Sequence, residues 1–370
     1  REFRGFGRVD RTDTEDFTHW AEGQPGGPLT VGQDQFQAPV LTRTWYHVGA
    51  WDDAGRLMSR FAAEFWPAAH DRAFPAEALG QIEPALPEGR LVASTRIADP
   101  AALARLSPAE RREAARACKS LVLRQEIFAL DAPAVGGSAE DLRRQMLPFS
   151  VDTHSCHVQL LQPRGPNRHA VFVVVEDEAI SLHYERTPVD PRIDHAINPE
   201  IDDLGNVLEA AQISYGRDPV AAAAAADAIS ASVSDFSGFD DPAALDLAFS
   251  GAIDRAEASQ TRTWITVART RFSNDIDTPA HWRTRLPVEV ERFEITGLFP
   301  AAHLFTQDEL RGVLGDARSA LIAYDAAPAG GVERRRIEQS VSRYYDSGLQ
   351  AALPWGKITA HELVCQSLTK

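Results

Sequence analysis

The stretch from residue 159 to residue 217 constrains the fold of this chain most, because it alternates β-type runs with turn-forming residues. The apolar run Val171–Val175 is too short for a buried helix and is rich in β-branched side chains. Residues 180–186 then alternate apolar and polar side chains, as a strand with one solvated face does. The stretch therefore predicts antiparallel β-sheet.

A tight turn is predicted within this stretch, at Asp203, Gly205 and Asn206. Glycine and asparagine tolerate the positive φ that tight hairpin turns require. We expect Gly205 to adopt a positive φ and residues 207–215 to return as a strand. The three residues are interpreted as a structural turn, not as a binding site.

Helices are predicted as short insertions between strands. Ser107, Pro108 and Glu110 have the pattern of a capping box with proline at the first helical position, and this helix is expected to reach residues 117–121. Further helices are expected at 139–146, from Asp241 in the Ala- and Asp-rich stretch 218–260, and from Thr306 to near residue 315. Strands are expected at 1–17, 37–50, 123–130, 261–271 and 287–298.

Short motifs are distributed along almost the whole chain. They are residues 1–7, the Thr-Trp-Tyr-His stretch at 44–47, the Arg-Gln-Glu-Ile-Phe-Ala-Leu-Asp run at 124–131, residues 159–172, residues 335–338 and residues 353–357. In this order they resemble the middle/C-terminal region, with flanking Rhs-like shell segments, of the B component of bacterial insecticidal toxin complexes (Tc toxins, TcdB/TcaC type).

The resemblance implies a mainly β fold, an extended antiparallel sheet of the Rhs/YD-shell type with short helical insertions. It implies shell strands at 1–40, the toxin-complex B middle/C-terminal region at 41–217, an insertion at 218–260 and continuing shell strands at 261–370. The chain begins at Arg1 inside one of the motifs, and we expect it to be a fragment of a larger shell.

The resemblance also implies a function without catalysis. The segment would help to form a hollow β-shell that encloses and delivers a cytotoxic effector. Its implied partners are the C component, as shell partner and cargo, and the channel-forming A component, through a propeller outside this segment. No cofactor is implied, and the protein is expected to be secreted after folding in the bacterial cytoplasm.

Composition excludes several other classes of protein. The formal net charge of −15 argues against nucleic-acid binding, and no stretch has the length of an apolar transmembrane helix. The basic run 334–336 is expected to be a solvated strand or helix face. Cys118, Cys156 and Cys365 are scattered and predict no disulfide framework, which fits folding in the cytoplasm.

The alternative function is an effector enzyme. Glu289 and Glu291 have the Glu-x-Glu spacing that mono-ADP-ribosyltransferases use to act on NAD. An amphipathic strand gives the same alternation with Val288 and Val290, and no Ser-Thr-Ser element or nucleotide loop accompanies it. We therefore favour a structural strand, with both glutamates on one side and no arginine or nicotinamide-sized cleft before them.

Two further groups of residues have a functional and a structural interpretation. A zinc site would need four convergent ligands at a recognisable spacing, and the available side chains do not show one: His154, Cys156, His157, His169 and His183. A set of aromatic residues could form a glycan or partner surface, but packing within strands is favoured: Trp45, Tyr46, Trp51, Trp264 and Trp282.

Overall fold

The structure is a computed structural model, which describes residues 3–13, 38–51, 54–66, 90–93, 101–132, 136–220, 222–224, 227, 252, 255–346, 348–360 and 365–369. The chain divides into two compact units. The first comprises residues 1–194 and 215–262, and the second comprises residues 195–214 and 263–370. The four regions expected from the resemblance rest on sequence motifs and stay a prediction.

The first unit contains a mostly antiparallel sheet. Its strands are β1 (Arg8–Thr12), β2 (Val40–Tyr46), β3 (Arg90–Ala93), β4 (Val122–Ala129), β5 (Pro148–Gln162) and β6 (Val171–His183). The order is β1-β2-β4-β5-β6, and β3 pairs in parallel with the second half of β5. The apolar run at 171–175 and the alternating run at 180–186 thus share one strand, which ends at His183.

The first unit also contains helices: α1 (Ala54–Glu64), a 3₁₀ turn (Leu103–Arg105), α2 (Pro108–Ala117) and α3 (Ala139–Gln145). The predicted capping box of α2 is confirmed, because Ser107 Oγ accepts from the Glu110 N–H and the Glu110 carboxylate accepts from the Ser107 N–H. Ala114 of α2 packs against Cys156 and Val158 of β5. Two helices thereby cover part of the sheet, since α1 packs on β2 and β4 in the same way.

The second unit also contains a mostly antiparallel sheet. Its strands are β7 (Arg192–Ile201, in this unit from His195), β8 (Val207–Ser214), β9 (Trp264–Phe272), β12 (Pro287–Thr296), β13 (Ala320–Ile322), β14 (Glu333–Tyr344) and β15 (Cys365–Thr369). The order is β7-β8-β9-β12-β14-β13, with β15 also on β14, and β13–β14 is a parallel pair. The short strands β10 (Ile276–Asp277) and β11 (Trp282–Arg283) pair only with each other in the described part of the chain.

The predicted fold class, mainly β and antiparallel with short helices, is confirmed. One helix is shorter than predicted: α4 (Gln307–Leu310) begins with the expected Thr306 cap but ends well before residue 315. Arg311 has φ −58° and ψ 124°, and Gly312 has φ +68°, so the backbone leaves the helix there. The helix expected from Asp241 lies outside the described residues, as do residues 14–17 and 37 of the two strands expected at 1–17 and 37–50.

Candidate functional site: ion pairs at the motif residues

Arg124 and Glu126 form a buried ion pair on β4. Their side chains are 4% and 0% exposed, and Arg124 Nε lies 2.7 Å from Glu126 Oε1. The residues are two apart, so both project from the same face of the strand. Glu126 Oε1 also accepts from the Trp66 N–H at 2.8 Å, and Arg124 Nη2 donates to the Trp66 carbonyl at 2.7 Å. The pair therefore anchors the segment after α1 to β4.

The Thr-Trp-Tyr-His motif supports the same part of the first unit. Trp45 on β2 is completely buried and packs with Phe61 of α1 and Leu123 of β4. Thr44 Oγ1 donates to Gln125 Oε1 at 3.3 Å across the β2–β4 register. His47 Nδ1 accepts from the Gly49 N–H at 2.9 Å. These contacts hold β2, β4 and α1 together.

Asp131, at the end of the same motif run as Arg124, holds a second ion pair. Its two carboxylate oxygens accept from Arg186 Nη1 and Nη2 at 2.6 and 2.8 Å. These hydrogen bonds lower the pKa of Asp131 from its usual range, against the opposing effect of burial. Arg186 has φ +62° and follows β6, so the bidentate contact fixes a turn of unusual backbone geometry.

The predicted turn lies between β7 and β8, and Asp202 organises it. Asp202 Oδ1 accepts from the N–H groups of Leu204 and Asn206 at 2.8 and 2.9 Å, and Asp202 Oδ2 accepts from Asn206 Nδ2. Gly205 has φ +85°, and its N–H donates to the Asp202 carbonyl. An aspartate that accepts from the backbone N–H two residues further on forms an Asx-turn, and Asp202 does so here. The predicted turn residues, Asp203, Gly205 and Asn206, did not include Asp202.

Arg285 connects this turn to another loop of the second unit. Its guanidinium lies 3.0 Å from Asp202, 3.2 Å from Asp203 and 2.8 Å from Asp275. The hydrogen bond to Asp275, together with the other carboxylates, raises the pKa of Arg285 above its ordinary value. Arg285 lies far along the chain from residue 202, so no local sequence signal could identify it.

Glu289 and Glu291 of β12 are engaged by neighbouring strands. Arg271 of β9 lies 3.5 Å from Glu289, and Gln339 of β14 donates to Glu289 at 2.6 Å. Arg336 of β14 donates to Glu291 at 3.1 Å. The expectation that no arginine lies beside these glutamates is therefore wrong. The arginines come from the two strands that hydrogen-bond to β12, and they neutralise the glutamates as cross-strand pairs.

The basic run on β14 is only partly solvated, which corrects the prediction for Arg334. Arg334 is 7% exposed and donates to the Ser319 carbonyl, to Ser319 Oγ at 3.1 Å and to Asp316. Its side chain is buried because it supplies donors to the loop that leads into β13. Arg335 pairs with Glu294 of β12 at 2.7 Å.

The histidines considered as zinc ligands pair with different carboxylates. His154 lies 2.8 Å from Glu176, His169 lies 2.6 Å from Glu113, and His183 lies 3.4 Å from Asp194. His157 is buried 4.0 Å from Asp177. Within the described residues, His, Cys, Asp and Glu side chains form no group of three or more that could hold a metal ion.

A cavity of about 400 Å³ lies in the first unit, between β4, β5 and β6. Its polar lining includes Gln125, Asp152, His154 and Glu176, and Cys156 contributes a thiol. Asp152 accepts from Ser181 Oγ at 2.6 Å, so part of this lining is already hydrogen-bonded within the protein. Glu289 and Glu291 do not line this cavity.

The thiols of Cys118 and Cys156 lie together, although sequence reasoning had treated the cysteines as scattered. Both side chains are buried, and their Sγ atoms are 4.0 Å apart. Cys118 caps the end of α2 and Cys156 lies on β5. Only the packing of α2 on β5 brings them together, and their separation of 38 residues gives no local signal.

The aromatic residues differ in how far they are exposed to solvent. Trp45 is buried as predicted, whereas three of the residues expected to pack within strands are substantially exposed: Trp51, Trp264 and Trp282. Trp282 is 70% exposed and lies on the short strand β11, which offers little surface to cover it. The packing prediction is therefore wrong for these three tryptophans.

Residues 113–286 match the family model described as the insecticide toxin TcdB middle/C-terminal region. The resemblance inferred from the sequence is confirmed. The matched segment contains the Arg124–Glu126 pair, Asp131, the β7–β8 turn and Arg285. A search of curated proteins finds no match.

Solved structures of toxin complexes share the fold. A mutant Tc holotoxin pore from Photorhabdus luminescens is 20% identical with a TM-score of 0.57, and a TcdB2–TccC3 complex is 19% identical with a TM-score of 0.59. A TcdB2–TccC3–Cdc42 structure is 20% identical with a TM-score of 0.58. Each alignment covers 96% of this chain but 14% of the matched chain, so this chain spans about a seventh of the length of those proteins.

No helix in the described part of the chain combines the length and the apolar character needed to cross a bilayer.

Proposed function

We propose that this chain is a non-catalytic wall segment of a toxin-complex B component, which helps to form a hollow β-shell around a cytotoxic effector. The proposal rests on the structural contacts made by the charged residues of the sequence motifs. Arg124, Glu126 and Asp131 hold strands, helices and turns in place, and each is engaged by a partner within its own unit. A shell wall needs this kind of internal support and needs no reactive group.

The sheet edges favour a role within a larger assembly. β1 ends the strand order of the first unit and β13 ends that of the second, and each pairs with one strand among the described residues. Unpaired strand edges can recruit further strands. Val9 on β1 and Leu321 on β13 are exposed apolar side chains that neighbouring wall segments would cover.

The proposed partners are the C component, as second half of the shell and source of the cargo, and the A component, reached through a propeller outside this segment. The structures that share the fold include complexes of TcdB2 with TccC3, which supports the first partner by similarity of fold. We also propose that the protein folds in the bacterial cytoplasm and is then secreted.

The decisive experiment is co-expression of the complete, tagged B component that contains this chain with the C component encoded in the same genome, since one wall segment cannot close a shell by itself. We expect the two to co-purify and the C-terminal region of the C component to become resistant to added protease. Co-purification without protection would contradict the enclosing role, and failure to co-purify would contradict the partnership.

The edge argument has its own test in size-exclusion chromatography of the chain alone. We expect concentration-dependent association, reduced by Val9→Lys and Leu321→Lys because an edge lysine opposes strand pairing. Leu142→Lys on α3 is the matched control, since it adds the same charge at an exposed leucine outside the sheet. A wild-type chain that elutes as a stable monomer at every concentration would count against the wall role.

A further inference from the structure

Cys118 and Cys156 are a pair of buried thiols in van der Waals contact. Their Sγ atoms lie 4.0 Å apart, and both residues are less than a tenth exposed. A disulfide requires a sulfur separation of about 2.05 Å, so each sulfur must move by about 1 Å for the bond to form.

The surroundings allow that movement. Cys118 is the C-terminal cap of α2, beyond the last helical residue, where the backbone is less constrained than inside the helix. Cys156 lies at a register shift of the β5–β6 pair, between Ser155 and Cys156. A register shift of this kind interrupts the regular pairing of the two strands at Cys156.

A route for reagents is also present. Cys156 lines the cavity between β4, β5 and β6, whereas Cys118 is not among the residues that line it. A small disulfide compound that enters the cavity would therefore meet Cys156 first and Cys118 second.

We propose that Cys118 and Cys156 form a reversible intramolecular disulfide that covalently ties α2 to β5. The Cys156 thiolate attacks a small-molecule disulfide such as oxidised glutathione, releasing one thiol and forming a mixed disulfide. The Cys118 thiolate then displaces the second thiol from Cys156. The protein loses two electrons and two protons, and the small disulfide gains both to become two thiols.

The bond would close a loop of 38 residues and restrict the unfolded chain. The oxidised protein should therefore melt at a higher temperature than the reduced protein, by an amount on the order of 5 °C. The effect belongs to the first unit and is independent of the proposed shell function.

The test uses the full chain, reduced and then incubated with oxidised glutathione at neutral pH. We expect the intact mass to fall by two hydrogen atoms and non-reducing peptide mapping to link the peptides that contain Cys118 and Cys156. Cys365→Ser is the matched control and should oxidise like the wild type, whereas Cys118→Ser should stop at a glutathione adduct on Cys156. Dithiothreitol should reverse the changes.

Three results would overturn the inference. They are two free thiols at 118 and 156 in the folded protein after oxidation, a stable glutathione adduct on wild-type Cys156, or a cross-link that uses Cys365. Because the mapping of the wild-type chain needs no substitution, the conclusion does not depend on whether a serine variant folds. Failure to bind a C component would leave this result unchanged, so the two proposals fail separately.

Discussion

Removing one member of the Arg124–Glu126 pair should destabilise the first unit more than any surface substitution. Arg124→Met leaves the carboxylate of Glu126 in a site where its side chain is 0% exposed. Glu126→Met removes the counter-charge of the Arg124 cation and the acceptor of the Trp66 N–H. Breaking a buried ion pair from one side costs roughly 3–5 kcal/mol of unfolding free energy.

The double variant, Arg124→Met with Glu126→Met, should cost less than the sum of the single substitutions. No uncompensated charge remains in the double variant. The main loss is that of the two buried hydrogen bonds that the Trp66 N–H and the Trp66 carbonyl make to this pair. An orphaned buried polar group costs about 1–3 kcal/mol, so the double variant should lose about 2–6 kcal/mol where two independent losses would total roughly 6–10.

Urea unfolding followed by tryptophan fluorescence measures these differences, since Trp45 and Trp66 are both buried near the pair. Submicromolar protein limits association through strand edges. Arg292→Met is the matched control, because Arg292 and Glu338 form a cross-strand pair whose side chains are 54% and 37% exposed. Such an exposed pair contributes about 0–1 kcal/mol.

The reasoning would be refuted if Arg124→Met cost no more than Arg292→Met. It would also be refuted if the effects of the two single substitutions simply added in the double variant. Additive losses of unfolding free energy would mean that Arg124 and Glu126 do not stabilise each other. Their place in the motif would then require a role other than the ion pair.

Three further predictions follow from other parts of the structure. Gly205→Val should lower the unfolding free energy by about 1–3 kcal/mol, since φ +85° is strained for a β-branched residue; thermal melts should show no comparable loss for Gly331→Val, where the added Cβ meets open space. The folded-state pKa values of Asp131 and Glu110 are lowered, for Asp131 by Arg186 and for Glu110 first by the Arg164 N–H. The stabilisation by these two carboxylates is complete above their unfolded-state pKa of about 4 and is lost as pH falls through their folded-state pKa values. The melting temperature should therefore be flat from neutral pH down to about 5 and decline below it, less steeply in Asp131→Asn. An equally steep decline in that variant would contradict the role given to Asp131. The chain should release no nicotinamide from NAD and Glu291→Gln should behave identically, because Glu291 is held by Arg336; measurable cleavage that Glu291→Gln abolishes would establish the enzyme instead.

Local patterns in the sequence predicted several elements of the fold, although α1, β3 and β13 were not among them. The capping box at Ser107 and Glu110 specified where α2 begins, since its hydrogen bonds lie within one helical turn. The alternation around residues 264–272 and 287–296 placed β9 and β12, because side chains on a strand alternate between faces. The positive φ at Gly205 was likewise expected from residue type, while the functional meaning of that turn remains a prediction.

Tertiary structure decided which charged and sulfur-containing side chains meet. Arg285 reaches Asp202 from another loop, Arg336 reaches Glu291 from the neighbouring strand, and Cys118 meets Cys156 through the packing of α2 on β5. These contacts join residues far apart in the chain, so a periodic pattern carries no information about them. Sequence alone therefore determined a β-rich chain with capped helices and a family resemblance, because those features depend on short-range physics. Strand order and packing determined which partners these carboxylates and thiols have, because those partners lie on other elements of the fold.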